Sequence, residues 1–273
     1  MVEKATCLGQ WSGMTDAPRI FADDYYERMR RLEAVSWWNA GMRDIAASLI
    51  ARAGLKGRGN LLDIGCGSGQ TMSWYMDAHR GWTAAGIDIA QDGVSAARGA
   101  GLAVVTGNAL ELPFASESSD MVVTLDVLQH LPLSGGDLTC LREIWRVLRP
   151  GGSLFVRTNC QSLPRTVEDP ENNFRKYEPD DLRARLHSAG FQIVSLSRAN
   201  AVLGFAEVAR EIRATKRGGS GYHGLLAVPG SPGGLADRAK RAMLRLEARL
   251  IAAGVELPFG RSIVALCRKP AVG

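Results

Sequence analysis

Cysteine is scarce in this chain: five in 273 residues, at positions 7, 66, 140, 160 and 267, with no Cys-x-x-Cys pair. Such scatter supplies neither a disulfide framework nor a zinc site, and it predicts small buried thiols instead. No apolar run approaches the roughly 20 residues that span a bilayer. The opening Met1-Val2-Glu3-Lys4 lacks the hydrophobic stretch of a secretory leader. Cytoplasmic residence is therefore the expectation. A dense block of one charge is also missing. The formal excess is +5, but Arg and Lys are spread over most segments, so a solvated surface rather than a nucleic-acid partner is expected.

What is present suits an enzyme core. A hydrophobic content of 46% over 273 residues is enough for one full-sized α/β domain with a modest elaboration. In the run Leu61-Leu62-Asp63-Ile64-Gly65-Cys66-Gly67-Ser68-Gly69-Gln70 an apolar strand ends in an acid and three alternating glycines. Glycine tolerates positive φ and lacks a Cβ, so backbone N–H groups there can converge on a carboxylate or phosphate at the next helix's N-terminus. The dinucleotide fingerprint Gly-x-Gly-x-x-Gly, started at Gly65, would need glycine where Gln70 stands, which disfavours NAD. Twenty-five residues after Asp63, the strand-like Trp82 to Ile87 delivers Asp88. A carboxylate at the tip of a βαβ unit accepts from both hydroxyls of a ribose, a diol common to NAD and S-adenosylmethionine.

Read from Asp63, the pattern Asp-x-Gly-x-Gly-x-Gly resembles the class I S-adenosylmethionine-dependent methyltransferases, in particular the group with quinone-biosynthesis enzymes. The segment Val104 to Phe114 resembles the family's adenine-binding stretch, with Asn108 where the family more often has Asp; its side-chain carbonyl can still accept from the adenine amino group. The strand Asp120 to Leu125 runs into Asp126-Val127-Leu128-Gln129-His130-Leu131, a crossing that in the family borders the methyl donor. A helix from about Asp137 to Leu148, the turn Arg149-Pro150-Gly151-Gly152, a strand from Ser153 to Arg157, and Tyr177 to Phe191 follow in the family's order. The resemblance spans about residues 55 to 200, with a closing strand from Ser262 to Cys267. It implies a Rossmann-like, doubly wound, mostly parallel seven-stranded sheet with flanking helices. It also implies S-adenosyl-L-methionine as cofactor, held by Asp63, Gly65, Cys66, Gly67, Gly69, Gln70, Asp88, Ile89, Asn108, Ala109, Leu110 and Leu125.

The function so implied is methyl transfer to a small-molecule acceptor, through O-, N- or C-methylation. Two other readings stay open: a NAD-dependent oxidoreductase and a nonenzymatic S-adenosylmethionine-binding regulator. His130 is the candidate general base, because imidazole titrates near physiological pH and follows the fourth strand; its alternative is a backbone hydrogen bond at the crossing. Asp126 and Asn159 are too few oxygen donors for a hard cation, so metal independence is expected. By position, Arg157 or Asn159, and Tyr177, stand near the acceptor, although Tyr177 could equally cover the sheet edge.

Four regions are expected: a helical extension over 1–54 that caps the cofactor, the core over 55–200, a helical insertion over 201–260, and the closing strand and tail over 261–273. Within the insertion, the Gly/Pro-rich 218–234 reads as a lid or as a plain surface loop. The run Leu235 to Ile251 reads as a basic amphipathic helix that packs through Ala239, Ala242, Met243, Leu246 and Leu250, or else meets a membrane surface. Oligomeric state is not legible.

Overall fold

The computed structural model describes residues 36–55, 57–160, 175–201, 203–204 and 234–271. At its centre lies β1 (Gly59–Ile64), whose last four residues are all buried. A short apolar run buried on both faces is what a central parallel strand demands. The other strands are β2 (Trp82–Asp88), β3 (Ala103–Thr106), β4 (Ser119–Leu125), β5 (Leu148–Asn159), β6 (Gln192–Ala199) and β7 (Ser262–Arg268), and they make one sheet in the order β3-β2-β1-β4-β5-β7-β6. β1 pairs in parallel with β2 and β4, and β2–β3 and β4–β5 are parallel too; β7 alone runs antiparallel to its neighbours β5 and β6. The order reverses between β1 and β4, and ligands of open α/β sheets sit at that point, outside the strands' carboxyl ends.

The helices are α1 (Trp37–Ala51), α2 (Gln70–Ala78), α3 (Gln91–Gly99), α4 (Gly136–Val147), α5 (Pro179–Ser188) and α6 (Leu235–Ala252). One face of the sheet packs Leu62, Val122, Leu154 and Val156 against α4 and α5 through Leu141, Ile144 and Leu182. The opposite face packs Leu61, Met121, Val123 and Phe155 against α1 and α6 through Met42, Ile45, Leu49, Leu244 and Ile251. Cys66, Cys140, Cys160 and Cys267 are free and buried, as the scattered spacing suggested, and Cys7 lies outside the described residues.

Sequence and structure part company at two places. The expected turn at Arg149–Gly152 is taken up into β5, which begins at Leu148 opposite Ser119 and shifts register before Met121. Gly151 takes the kink at φ +81° and donates its N–H to Lys269 O just past β7, while Lys269 N donates to Gly152 O. The second departure concerns α6. Ala239, Ala242, Leu246 and Leu250 were expected to form its packing stripe, yet all four are exposed, and the helix packs through Leu244, Glu247, Ala248 and Ile251. The helix carries two apolar stripes on opposite sides, and periodicity alone cannot say which one the core takes.

α1 and α6 approach closely because Gly41 faces Leu244: a Cβ built on Gly41 would lie 2.3 Å from Leu244 Cδ1 and 2.7 Å from its Cβ. Asp44, one turn on, accepts from Arg241 Nε at 3.2 Å and Arg245 Nε at 2.9 Å. Gly99, at the exposed end of α3, has nothing within 4 Å of its would-be Cβ. The two glycines should therefore respond to alanine with opposite signs. Gly99→Ala should stabilise by about 0.5–1 kcal/mol through helix propensity. Gly41→Ala should destabilise by about 1–3 kcal/mol, because overpacking outweighs the same gain. Urea unfolding of the two variants checks this.

Candidate functional site

The turn after β1 is built by its three glycines, at φ +75° for Gly65, +50° for Gly67 and +79° for Gly69. Space matters as much as conformation at Gly65, where a Cβ would fall 2.1 Å from Val127 Cγ2. The loop's amides hold the end of β2. Gly65 N and Cys66 N both donate to Ile87 O, at 2.8 and 3.1 Å, and Gly67 N donates to Asp88 Oδ2 at 2.8 Å. The other Asp88 oxygen, Oδ1, accepts from Ala90 N at 2.8 Å. The expected cradle is thus distributed differently: these three amides bind protein, while α2 begins at Gln70 from Gly69 with no side-chain cap. An uncapped helix start offers its first N–H groups, and its positive end, to a carboxylate.

Asp88 is 8% exposed. Burial pushes its carboxyl above the ordinary carboxylate range, against hydrogen bonds from the Ala90, Gly67 and Ile89 amides. The two carboxylate oxygens have about four lone pairs between them, so with three amides on Asp88 capacity remains for a hydroxyl donor. Asp63 is buried at the end of β1. Cys66 is buried beside it, and burial, reinforced by the charges of Asp63 and Asp88, pushes its thiol far up, so it stays protonated and unreactive at neutral pH. Ile89 is 39% exposed next to Asp88. An apolar side chain left uncovered beside the diol acceptor suits the face of a purine.

Asn108 stands at the same edge, after β3, where Gly107 N donates to Asp88 O at 2.9 Å. Its Oδ1 accepts from Leu110 N at 2.9 Å, so the side chain fixes its own turn. Ala109 and Leu110 pack partly buried against the core. The loop beyond is clamped from α4: Glu143 accepts from Leu112 N at 2.8 Å, and Arg146 donates to the carbonyls of Leu112 and Phe114 at 2.9 and 2.8 Å. Sequence reading missed this clamp, although a Glu and an Arg at i,i+3 on an amphipathic helix were its visible sign.

At the ends of β4 and β5, Leu125 and Asp126 complete the edge. Asp126 adopts φ +59°, a left-handed conformation that Asp tolerates better than most residues. Arg157 holds it there: Asp126 N donates to Arg157 O at 2.9 Å, and Arg157 Nε donates to Asp126 Oδ2 at 3.0 Å. The same guanidinium lies 5.0 Å from the ring centroid of Trp38 on α1, within cation–π range. A small cleft of about 20 Å³ lies here, lined by α1 (Met42, Arg43, Ala46, Ile50), α2 (Thr71, Trp74), β4 (Val123, Leu125) and β5 (Phe155, Arg157).

His130 lies in a short 3-10 turn, Leu128–His130, just past Asp126. Burial lowers its imidazole to about 4, although the nearby Asp126 charge acts the other way, so it is neutral at pH 7. Its neighbour Gln129 ties the crossing to β5, accepting from Thr158 Oγ1 at 2.9 Å and Asn159 N at 3.1 Å. Tyr177 is not at the cavity. It is 1% exposed, and its hydroxyl donates to Asp137 Oδ2 at 3.0 Å while also lying 3.2 Å from Leu128 O. Buried Asp137 is also ion-paired with Arg175 and Arg185. Burial alone would raise the Asp137 carboxyl, but bonds from Arg175 and Tyr177 and the two positive charges hold it below its usual range. Among the described residues, no three His, Cys, Asp or Glu side chains gather as a metal would need. All but the last residue of 218–234, read as a lid or a plain surface loop, and residues 1–35 of the extension lie outside the described residues.

Residues 62–156 match the family of methyltransferase domains. The chain is 29% identical over 172 residues to the O-methyltransferase resE of Aspergillus sclerotiorum, covering 57% of this chain and 61% of that protein. It is 36% identical over 118 residues to a fatty-acid O-methyltransferase of Mycolicibacterium smegmatis, covering 42% and 41%. It thus spans between two fifths and two thirds of these relatives' lengths. Shorter matches include a protein named probable tRNA methyltransferase 9B from Mus musculus, 31% identical over 94 residues, which are 34% of this chain and 20% of that one. In fold it is similar to phosphoethanolamine N-methyltransferase 2 of Haemonchus contortus, solved with S-adenosyl-L-methionine, at TM-score 0.59 and 17% identity over 92% of this chain and 59% of that one. The glycine turn, the acid at the tip of β2 and the β1/β4 switch point all fall within or beside the matched stretch, so residues 62–156 carry the features of a methyltransferase domain.

Proposed function

We propose that the chain methylates an oxygen of a small amphipathic acceptor. The observation that carries this reading is the cavity at the ends of β4 and β5, mostly apolar in its walls (Met42, Ala46, Ile50, Trp74, Leu125, Phe155) with Arg43 and Arg157 as its cationic groups. Two relatives named O-methyltransferases, one of them acting on fatty acids by its name, support the choice of oxygen. S-Adenosyl-L-methionine supplies a methyl group on an electrophilic sulfonium, which a nucleophile attacks in line as the neutral thioether leaves.

The chain's own contribution is mainly alignment in a dry site, which lowers the barrier by several kcal/mol without a covalent intermediate. Asp88 fixes the ribose, and the uncapped start of α2 takes the amino-acid carboxylate. α1 and the Arg157–Asp126 pair wall the acceptor side. His130 is the proton acceptor in this reading. It is neutral at pH 7, the form that can take up a proton, and a weak base suffices for a hydroxyl that turns strongly acidic as its oxygen gains the methyl group. No metal takes part, since the Asp126 carboxylate is already engaged by Arg157. The competing reading is an RNA acceptor, which the tRNA methyltransferase relatives support. They share only 94 and 96 residues with this chain.

Methyl-labelled cofactor incubated with the full chain and a panel of medium-chain carboxylic acids, phenols and total tRNA tests the acceptor class. Label in the organic extract, unchanged by excess EDTA, is expected; label in precipitable RNA would replace this reading. With a hydroxyl acceptor, His130→Gln should lower kcat roughly 100-fold with KM little changed, and unaltered turnover would remove His130 from the chemistry.

The same histidine makes a pH prediction for stability. Its folded value is about 4 against an ordinary 6.5. Between those values the unfolded chain binds the extra proton, so the His130 contribution is complete above pH 6.5 and lost as pH falls towards 4. In urea unfolding, the stability difference between wild type and His130→Gln should shift against wild type across that window and stay flat from pH 7 to 8.

A further inference from the structure

α6 has two apolar sides, and the packed one leaves the other outward. Leu235 is 84% exposed, Leu246 57% and Leu250 39%, with Ala239 and Ala242 exposed between them. At 100° per residue these five fall on one stripe, opposite the buried Leu244, Ala248 and Ile251. The helix ends in a Schellman turn: Gly254 sits at φ +92°, Gly254 N donates to Ile251 O at 3.0 Å, and Val255 N donates to Leu250 O at 3.0 Å. That closure places Val255, itself 43% exposed, beside Leu250 and lengthens the stripe.

The exposed charge on this helix is also one-sided: Lys240 and Arg241 lie half-buried on its other sides, paired with Asp237 and Asp44, and Arg245 also pairs with Asp44. Arg238, Arg245 and Arg249 are exposed, and by the same angular count all three fall along one edge of the apolar stripe. The helix's two acids are elsewhere: Asp237 pairs with Lys240 one turn on, and Glu247 is buried, where it accepts from Ala201 N at 3.1 Å. A long exposed apolar stripe bordered by arginines is the pattern of a helix lying in the plane of an anionic lipid surface.

We propose that α6 docks the protein on anionic membranes, with Leu235, Leu246, Leu250 and Val255 entering the headgroup boundary and Arg238 and Arg249 meeting lipid phosphates and carboxylates. Charge complementarity selects this occupant over a second copy of the chain, since two such faces would bring their arginine edges together. The position also has a use: α6 packs directly on α1, whose Met42, Ala46 and Ile50 wall the acceptor cavity. An amphipathic acceptor held in the bilayer would therefore be collected one helix away from where it reacts. Docking needs no methyl transfer, and its test does not depend on the acceptor.

Sedimentation of the full chain with vesicles of phosphatidylcholine alone, or with about 30% phosphatidylserine, tests the proposal. Binding is expected only to the anionic vesicles and should fall steeply with added salt. Leu246→Glu and Leu250→Glu should abolish it. Arg238→Gln and Arg249→Gln should each weaken it about fivefold. All four positions are exposed, so the thermal melts of the variants should match wild type. Absence of binding to anionic vesicles would overturn the proposal, as would binding that survives Leu246→Glu. Dimerisation in sedimentation velocity that Leu246→Glu abolishes would overturn it too, by assigning the stripe to a second copy.

Discussion

The carboxylate of Asp88 is the point on which the site depends. It is nearly buried, and it accepts the Gly67 amide on one oxygen and the Ala90 amide on the other. One side chain thus pins the glycine turn after β1 to the start of α3, across the gap where a ligand must lie. The cost of burying a charge is partly offset by these amide bonds, although burial still holds the carboxyl above its ordinary range. Positive φ at Gly65, Gly67 and Gly69 follows from this geometry, because the chain must double back sharply enough for the Gly67 N–H to reach the tip of β2. The same crowding brings Gly93 of α3 within van der Waals reach of Gly67, where a Cβ would stand 3.1 Å from the Gly67 carbonyl carbon.

The acceptor side is held by a second network, separate in its members but similar in logic. Arg157 fixes the left-handed backbone at Asp126 and lies against Trp38, so the ends of β4 and β5 and the helix α1 are joined through one guanidinium. Gln129 binds β5, and Tyr177 and Asp137 bind the crossing to α4 and to the segment before α5. Buried ionic groups of this kind add little net stability, but the loss of one partner leaves a charge stranded. Their value here is positional: they set where Leu125, Asp126 and His130 stand relative to the glycine turn. Two rigid assemblies facing each other across the β1/β4 switch point are what an alignment-driven reaction requires.

Much of this was legible in the chain. Glycines at 65, 67 and 69 and acids at 63 and 88 announce the cofactor edge because backbone conformation and strand-tip chemistry are local, so spacing alone reveals them. Strand order was legible only through family resemblance, which carried the seven-stranded, mostly parallel sheet. What sequence could not show depends on long-range pairing. Asn108 was expected to offer its carbonyl to adenine, and that same carbonyl also closes its own turn at Leu110. Tyr177 was placed at the acceptor by its position before α5, but 40 residues separate it from the Asp137 that draws it into the core. The stripe on α6 was misassigned because the helix has two apolar sides, and only the fit of Leu244 against Gly41 decides between them. Neither the Glu143–Arg146 clamp nor the Asp126–Arg157–Trp38 stack leaves more than a faint local signal.

We propose that Asp88, braced by backbone amides, grips the ribose of an S-adenosyl nucleoside. Calorimetric titration of S-adenosylhomocysteine into wild-type protein and into Asp88→Asn tests it most directly, with NAD as the control ligand. The account predicts one bound S-adenosylhomocysteine per chain, weakened roughly tenfold or more by the substitution as charge-assisted bonds are lost, and no heat from NAD. Equal affinity in the two proteins, or binding of NAD in place of S-adenosylhomocysteine, would contradict it.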